Sequence, residues 1–136
     1  MAIQSGSIQR PLAVMMRRVV QTISPDATLL EAAQLMREAK VGALLVQVQG
    51  DYCGVISESD LVRKGMAESQ LAHETLVRTV MSQPLISIDI GRSAHDASDL
   101  MAERGIRHLA VTEDGHVTGI LSVRDLLRYF KNWGGL

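Results

Sequence analysis

Hydrophobic and polar positions follow one another along this chain in an order that predicts a short series of elements. An apolar segment over 19–23 leads into turn and cap residues over 24–28, and apolar residues then recur at helical spacing. They are Leu29, Ala32, Ala33, Met36 and Ala39. Thr28 and Glu31 have the spacing of a capping box at the start of this helix. Two apolar runs, 41–48 and 52–56, flank a turn and predict two strands, and a second helix is expected from Asp60.

The same order of elements recurs 65 positions later. Residues 22–64 and 87–129 align without a gap, and thirteen of the 43 aligned pairs are identical. Each copy therefore has the predicted element order β-α-β-β-α, which indicates an α+β fold built from two repeats. One copy of about 45 residues is too small to bury a stable core alone, so we expect the two to pack as a pseudo-twofold pair with two related clefts.

The sharpest duplicated element is a seven-residue motif, Gly54 to Asp60 in the first copy and Gly119 to Asp125 in the second. We expect each glycine to open a strand that ends at a helix start. One interpretation of Ser-x-x-Asp is a capping box. The other is a nucleotide site, because a helix start with a free hydroxyl suits a phosphate and a carboxylate can accept from the hydroxyls of a ribose.

The repeated motif and the element order resemble the cystathionine β-synthase (CBS) domain pair, also called the Bateman module. The likeness covers about residues 12–130 and includes central strands at 41–44 and 106–111 and lead-in segments at 14–16 and 80–81. It implies tandem CBS repeats over 12–66 and 80–131, joined by a linker over 67–79. Tails over 1–11 and 132–136 complete the chain.

The resemblance also implies a ligand, because modules of this family typically bind adenosine-containing molecules between their repeats. Asp60 and Asp125 would contact ribose, and Ser57 and Ser122 would contact phosphate. Each cleft would draw on both repeats, so the cleft of Asp60 receives two further phosphate ligands, Arg107 and His108. The cleft of Asp125 receives the uncharged Gly42 and Ala43.

Charge predicts that the two clefts differ. Arg107 offers a planar fork for phosphate and His108 can add charge near neutral pH, so the Asp60 cleft is expected to take more phosphate. Arg124 is the nearby cation for the Asp125 cleft, and a solvated arginine at a helix start is the alternative. The candidate adenine walls are apolar residues that could equally be core: Val20, Ile23, Val41, Leu85, Ile88 and Ile106.

Composition excludes several other classes. A net charge of -1 provides no field for nucleic acid, and no stretch has the length and hydrophobicity of a membrane span or a signal peptide, so we expect a cytoplasmic protein. Cys53 is the single cysteine, the four histidines show no metal-ligand spacing, and no nucleophile lies beside a base, so we expect neither a metal site nor catalysis.

We therefore expect a non-catalytic regulatory module that binds AMP, ADP, ATP or another adenosine derivative and needs no obligatory cofactor. It would form a homodimer and signal the bound state to an unknown effector protein. The alternative is a ligand-independent dimerisation or adaptor domain. The aromatic tail over 129–133 could close the core of the monomer or form an oligomer contact.

Overall fold

The computed structural model describes residues 10–132, and it contains the predicted elements of the first repeat, with the second helix beginning at Glu58 and not at the predicted Asp60. They are β1 (Thr22–Ile23), α1 (Leu29–Ala39), β2 (Ala43–Val48), β3 (Asp51–Ser57) and α2 (Glu58–Asp60). After α2 the chain continues through a π-helical turn, Leu61–Gly65, and a 3₁₀ turn, Met66–Glu68.

The second repeat has the same elements in the same order, so β-α-β-β-α is confirmed in both copies. They are β4 (Ser87–Asp89), α4 (Ala94–Arg104), β5 (His108–Glu113), β6 (His116–Ser122) and α5 (Val123–Asn132). A short helix, α3 (Val77–Val80), precedes this repeat, and a 3₁₀ turn at Leu12–Val14 has the equivalent place before the first. Trp133, part of the aromatic tail, lies outside the described residues.

The described residues form two compact units, and each unit combines one repeat with the lead-in segment of the other. The first unit is 20–86, and the second is 10–19 together with 87–132. In the first, Val55 and Ser82 exchange backbone hydrogen bonds of 3.0 and 2.8 Å. In the second, Arg17 and Ile120 exchange equivalent bonds of 2.8 and 2.9 Å. The last strand of each repeat is thus paired with the segment that leads into the other repeat.

Each unit is built on one three-stranded sheet with the same topology. In the first unit β1 pairs parallel to β2 and β2 pairs antiparallel to β3, and β4, β5 and β6 repeat this pattern in the second. Both hairpins carry a register shift at equivalent places, between Val46 and Gln47 and between Val111 and Thr112. The duplication in sequence therefore extends to the irregularities of the sheet.

Helix α1 begins with all of its first amides satisfied. The Thr28 hydroxyl accepts from the Glu31 amide and the Glu31 carboxylate accepts from the Thr28 amide, which confirms the predicted capping box. The amides of Leu29 and Leu30 donate to the carbonyls of Thr75 and Ala72, both at 2.9 Å. Part of the predicted linker is therefore bonded to the start of α1, where it takes donors that would otherwise lack partners.

The buried stripe of α1 is narrower than its sequence predicts. Leu29, Ala32 and Met36 are buried, whereas Ala33 is exposed because it lies at the edge of the apolar stripe. The stripe packs into the core of the first unit, whose buried residues are Leu29, Ala32, Met36, Leu44, Val46, Ile56, Val77 and Val80. The second unit buries the equivalent helix positions, Ala94, Ala97 and Met101.

The sequence predicted that each motif glycine opens its strand, and this prediction is wrong. Gly54 is the fourth residue of β3 and Gly119 the fourth of β6, and neither has a positive φ. Each glycine lies against the paired lead-in segment. A Cβ at Gly54 would lie 2.6 Å from the Ser82 carbonyl oxygen, and one at Gly119 would lie 2.8 Å from that of Arg17. Glycine is required here by close backbone approach.

Candidate functional site

The first candidate site lies where β3 ends and α2 begins. Ser57 is the N-cap, and its hydroxyl accepts from the Asp60 amide at 3.2 Å. The Asp60 Oδ2 atom accepts in return from the Ser57 amide at 3.0 Å and from the Ser57 hydroxyl at 3.1 Å. The capping interpretation of Ser-x-x-Asp is thus correct for this motif, and it fixes the orientation of the carboxylate.

The second oxygen of Asp60 has partners from elsewhere in the first unit. Its Oδ1 atom accepts from the Ser82 hydroxyl at 2.9 Å and lies 3.1 Å from the Lys64 Nζ atom. Lys64 also donates to the Ser82 hydroxyl at 3.1 Å, so the three groups form a closed triangle. Asp60 is only 6% exposed, and a buried carboxylate needs such partners because it has lost most of its hydration.

The second candidate site has the same backbone geometry where β6 ends and α5 begins. The Asp125 Oδ2 atom accepts from the Ser122 amide at 2.8 Å, and the Asp125 amide donates to the Ser122 hydroxyl at 3.1 Å. Asp125 is 5% exposed. Within residues 10–132, one hydrogen bond reaches its carboxylate, from the Ser122 amide to Oδ2. Tyr129 and Arg17 stand at the positions that Lys64 and Ser82 have in the first repeat.

Asp125 borders a cavity of about 310 Å³ within the second unit. The lead-in segment supplies part of its wall and α5 the rest, and the lining residues are Arg10, Val14, Met15, Asp125, Arg128, Tyr129 and Asn132. The Arg10 amide donates to the Tyr129 hydroxyl at 3.5 Å. A cavity of this size is at the lower end of the range for small-molecule sites, and two arginines beside it favour an anionic ligand.

The predicted phosphate ligands of the second repeat lie around Ser122. His108 opens β5 and is the cross-strand partner of Ser122, which places both side chains on one face of the sheet. The Arg107 carbonyl accepts from the Val123 amide at 2.9 Å, so Arg107 also lies beside the start of α5, and Arg124 is exposed on that helix. The predicted pairing of Arg107 and His108 with Asp60 joins residues of different units and stays a prediction.

The predicted adenine residues divide between the units. Val20, Ile23, Val41 and Leu85 lie in the first unit, and Ile88 and Ile106 lie in the second. All are half-buried except Ile88, which is buried, and Ile23 and Val41 pack against the core of the first unit. Their contact with adenine stays a prediction.

A third Ser-x-x-Asp box shows that this spacing alone does not define a ligand site. Ser93 and Asp96 cap α4 in the same reciprocal way, at 3.0 and 3.2 Å. The Arg92 guanidinium donates to the Asp96 carboxylate, which with the Ser93 amide lowers the pKa of Asp96 below its ordinary value. Asp96 is more exposed than Asp60 and Asp125 and belongs to no repeated glycine motif.

Sequence reasoning missed several side chains that lie beside the two motif aspartates. Lys64 and Ser82 contact Asp60, whereas Arg10 and Arg128 line the cavity beside Asp125. A signal for Arg128 was available, because it is one of the identical pairs of the duplication and lies three residues, almost one helical turn, after Asp125. Ser82 carried no such signal because its contact depends on the path of the lead-in segment.

No group of three or more His, Cys, Asp or Glu residues within 10–132 is arranged to hold a metal ion. No helix in the same range is long and apolar enough to span a bilayer.

Comparison with known proteins identifies the family. The family model for the CBS domain matches residues 12–67 and 77–132, and the chain belongs to this family. It is 36% identical over 114 residues to the uncharacterized protein MK0525 of Methanopyrus kandleri, a match that covers 82% of this chain and 58% of that protein. It is 37% identical over 107 residues to the CBS domain-containing protein YhcV of Bacillus subtilis, with 79% and 76% covered.

Solved structures agree with this assignment. The hexameric CBS-CP12 protein from bloom-forming cyanobacteria matches with a TM-score of 0.84 at 27% identity, over 93% of this chain and 76% of that one. The chain therefore carries two CBS repeats that form a CBS pair, an α+β regulatory module of a kind that often binds nucleotides or forms oligomers.

Proposed function

We propose that this CBS pair binds an adenosine-containing nucleotide at its two Gly-h-h-Ser-x-x-Asp motifs, where h is an apolar residue, and signals the bound state to a partner protein. The motif aspartates, Asp60 and Asp125, accept hydrogen bonds from the ribose hydroxyls. Ser57 and Ser122 contact phosphate, together with the cations Arg107, His108 and Arg124. A homodimer is the assembly that we propose for the working module.

One observation carries the proposal: a buried carboxylate stands at the same strand-to-helix junction in both repeats. In each motif one carboxylate oxygen is used by the cap, which orients the second oxygen without using it. A carboxylate held in this way can accept from a diol, and the amides and hydroxyl at a helix start suit a phosphate. Core packing would be served better by an apolar residue at both positions.

Calorimetric titration of the full chain with AMP, ADP and ATP tests this function. We expect saturable heat for at least one of these ligands, and we expect Asp60→Ala with Asp125→Ala to abolish it. Asp96→Ala is the matched control, because it removes a capping box of the same type that lies outside the motifs. It should leave the affinity unchanged.

Two results would contradict the proposal. One is the absence of heat with every adenosine nucleotide. The other is an equal effect of the motif variants and of Asp96→Ala on the nucleotide affinity. Melting curves for all variants, recorded without ligand, show whether lost binding reflects lost structure, because a cap contributes about 1 kcal/mol to stability.

A ligand-independent adaptor is the rival function, and exposed apolar side chains favour it. Val62, Met66 and Leu71 are each more than half exposed along the stretch after α2. The hexameric cyanobacterial protein shows that a similar chain assembles with itself. A partner recovered by pulldown whose binding does not respond to added nucleotide would support the adaptor, whereas a several-fold response would support the sensor. Sedimentation of the purified chain gives its oligomeric state.

A further inference from the structure

The two motif aspartates have the same caps but different surroundings. Both oxygens of Asp60 already have protein partners, whereas the hydrogen bonds to Asp125 leave its Oδ1 atom without a donor from residues 10–132. We propose that the two sites are unequal: the Asp125 site binds nucleotide tightly, and Lys64 and Ser82 hold Asp60 in a self-occupied, low-affinity state. This inference rests on the proposed function and names its primary site.

The contacts of Asp60 resemble those that a ribose would make. A ribose hydroxyl that donates to Oδ1 must displace the Ser82 hydroxyl at 2.9 Å or the Lys64 ammonium at 3.1 Å. Because Lys64 also donates to Ser82, displacing one group disturbs the other. The ligand therefore competes with partners already present on a buried charge, and each lost charged hydrogen bond subtracts from its affinity.

Lys64 is free to move in a way that Ser82 is not. The Lys64 side chain is 48% exposed and is carried on the π-helical turn, whereas Ser82 is held by its two backbone hydrogen bonds to Val55. Lys64 can rotate into solvent at the cost of its charged contact with Asp60, while Ser82 stays near Oδ1. Lys64 is thus the residue whose removal should most readily open the Asp60 site.

The second repeat replaces this triangle with residues that cannot close it. At the position of Lys64 stands Tyr129, which has no ammonium group, and at the position of Ser82 stands Arg17, whose backbone pairs with Ile120. Asp125 borders the cavity of about 310 Å³ instead. Its carboxylate is therefore both oriented by the cap and adjacent to space for a ligand.

Two side chains that can bind phosphate also lie in the second unit near Asp125 and Ser122. Arg128 lines the cavity, and His108 shares a sheet face with Ser122. The equivalent of His108 in the first repeat is Ala43, which is paired with Ser57 and is uncharged. The charges in the sequence predicted that the Asp60 site takes more phosphate than the Asp125 site. The contacts of the folded chain favour the Asp125 site instead.

Titration calorimetry of the full chain with AMP and ATP tests the inference through stoichiometry. We expect one tight site per chain, which Asp125→Asn removes and Asp60→Asn leaves within about threefold. Lys64→Met, which keeps the apolar stem and removes the charge, should tighten the weak site by about threefold to tenfold. Lys40→Met is the matched control, since it makes the same change at an exposed lysine of the first unit whose side chain forms no hydrogen bond or ion pair with the described residues, 10–132.

The possible results are distinguishable. Three results would overturn the inequality and leave the proposed function intact. They are two equal sites, loss of the tight site in Asp60→Asn, and identical behaviour of Lys64→Met and Lys40→Met. No binding of any adenosine nucleotide would overturn both. Should Asp125→Asn fail to fold, Arg128→Gln provides the test at an exposed residue. It should weaken ATP several-fold more than adenosine at the tight site, and equal effects on the two ligands would count against the inference.

Discussion

A methyl group added at Gly119 tests why glycine stands inside the last strand of each repeat. In Gly119→Ala the new Cβ would lie 2.6 Å from the Met16 Sδ atom and 2.8 Å from the Arg17 carbonyl oxygen. The methionine side chain can rotate away, but the carbonyl belongs to a backbone segment held by two hydrogen bonds to Ile120. The lead-in segment must therefore move away from β6 or the strand must bend.

The expected cost follows from these contacts. Overpacking of a tight site costs about 1–3 kcal/mol, and each backbone hydrogen bond between Arg17 and Ile120 contributes about 1 kcal/mol. Alanine recovers about 0.4–1 kcal/mol because it restricts the unfolded chain. If both bonds are lost, the net loss is about 2–4.5 kcal/mol. For a chain of 136 residues this lowers the melting temperature by about 7–16 °C.

Thermal melting followed by circular dichroism measures this loss. Gly91→Ala is the matched control, because its Cβ would meet only the Oδ2 atom of the exposed Asp89 side chain. That atom accepts from the Gly91 amide at 2.9 Å and can rotate away, so the change in stability should be about 1 kcal/mol or less. Gly54→Ala should behave like Gly119→Ala, since its Cβ would meet the Ser82 carbonyl oxygen at 2.6 Å.

A melting temperature for Gly119→Ala within about 1 °C of the wild type would refute this reasoning. The lead-in segment would then not lie against β6 as closely as the structure indicates. A drop of the same size in Gly91→Ala would also refute it, because the effect would then come from alanine itself and not from backbone approach.

Three further predictions concern stability and charge. Thr28→Ala removes the cap of α1 and should cost about 1 kcal/mol in chemical denaturation, and full stability in that variant would show that the cap contributes nothing. Leu44→Ala should lower the free energy of unfolding by about 2–5 kcal/mol because the Leu44 side chain is fully buried. Val48→Ala, at an exposed strand end, should lower it far less. Equal losses would contradict the assigned core. Arg92→Gln should raise the pKa of Asp96 towards its ordinary value, as seen by NMR titration of the carboxyl group. The pKa of Asp96 is lower in the folded state than in the unfolded state, so the stability linked to Asp96 is present above the unfolded-state pKa and is lost as pH falls through the folded-state pKa. An unchanged pKa in Arg92→Gln would show that the ion pair does not form in solution.

Local pattern was sufficient to predict most elements of the fold. The helix over 29–39, the strands after it and their recurrence 65 residues later follow from periodicity and turn residues, which act between near neighbours. The capping interpretation of both motifs was also correct for the same reason, since a cap joins residues three positions apart. The one motif feature predicted wrongly was the glycine, whose role depends on a segment distant along the chain.

The sequence by itself thus determined the duplication, the element order, the family resemblance and the position of two carboxylates at helix starts. Only the tertiary structure decided that each lead-in segment pairs with the last strand of the other repeat. It also decided that Ser82 reaches Asp60 from 22 residues away and that Arg10 lies beside Tyr129 across 119 residues. Contacts at such separations depend on the path of the whole chain and not on local periodicity, and they are what makes two matching motifs chemically different.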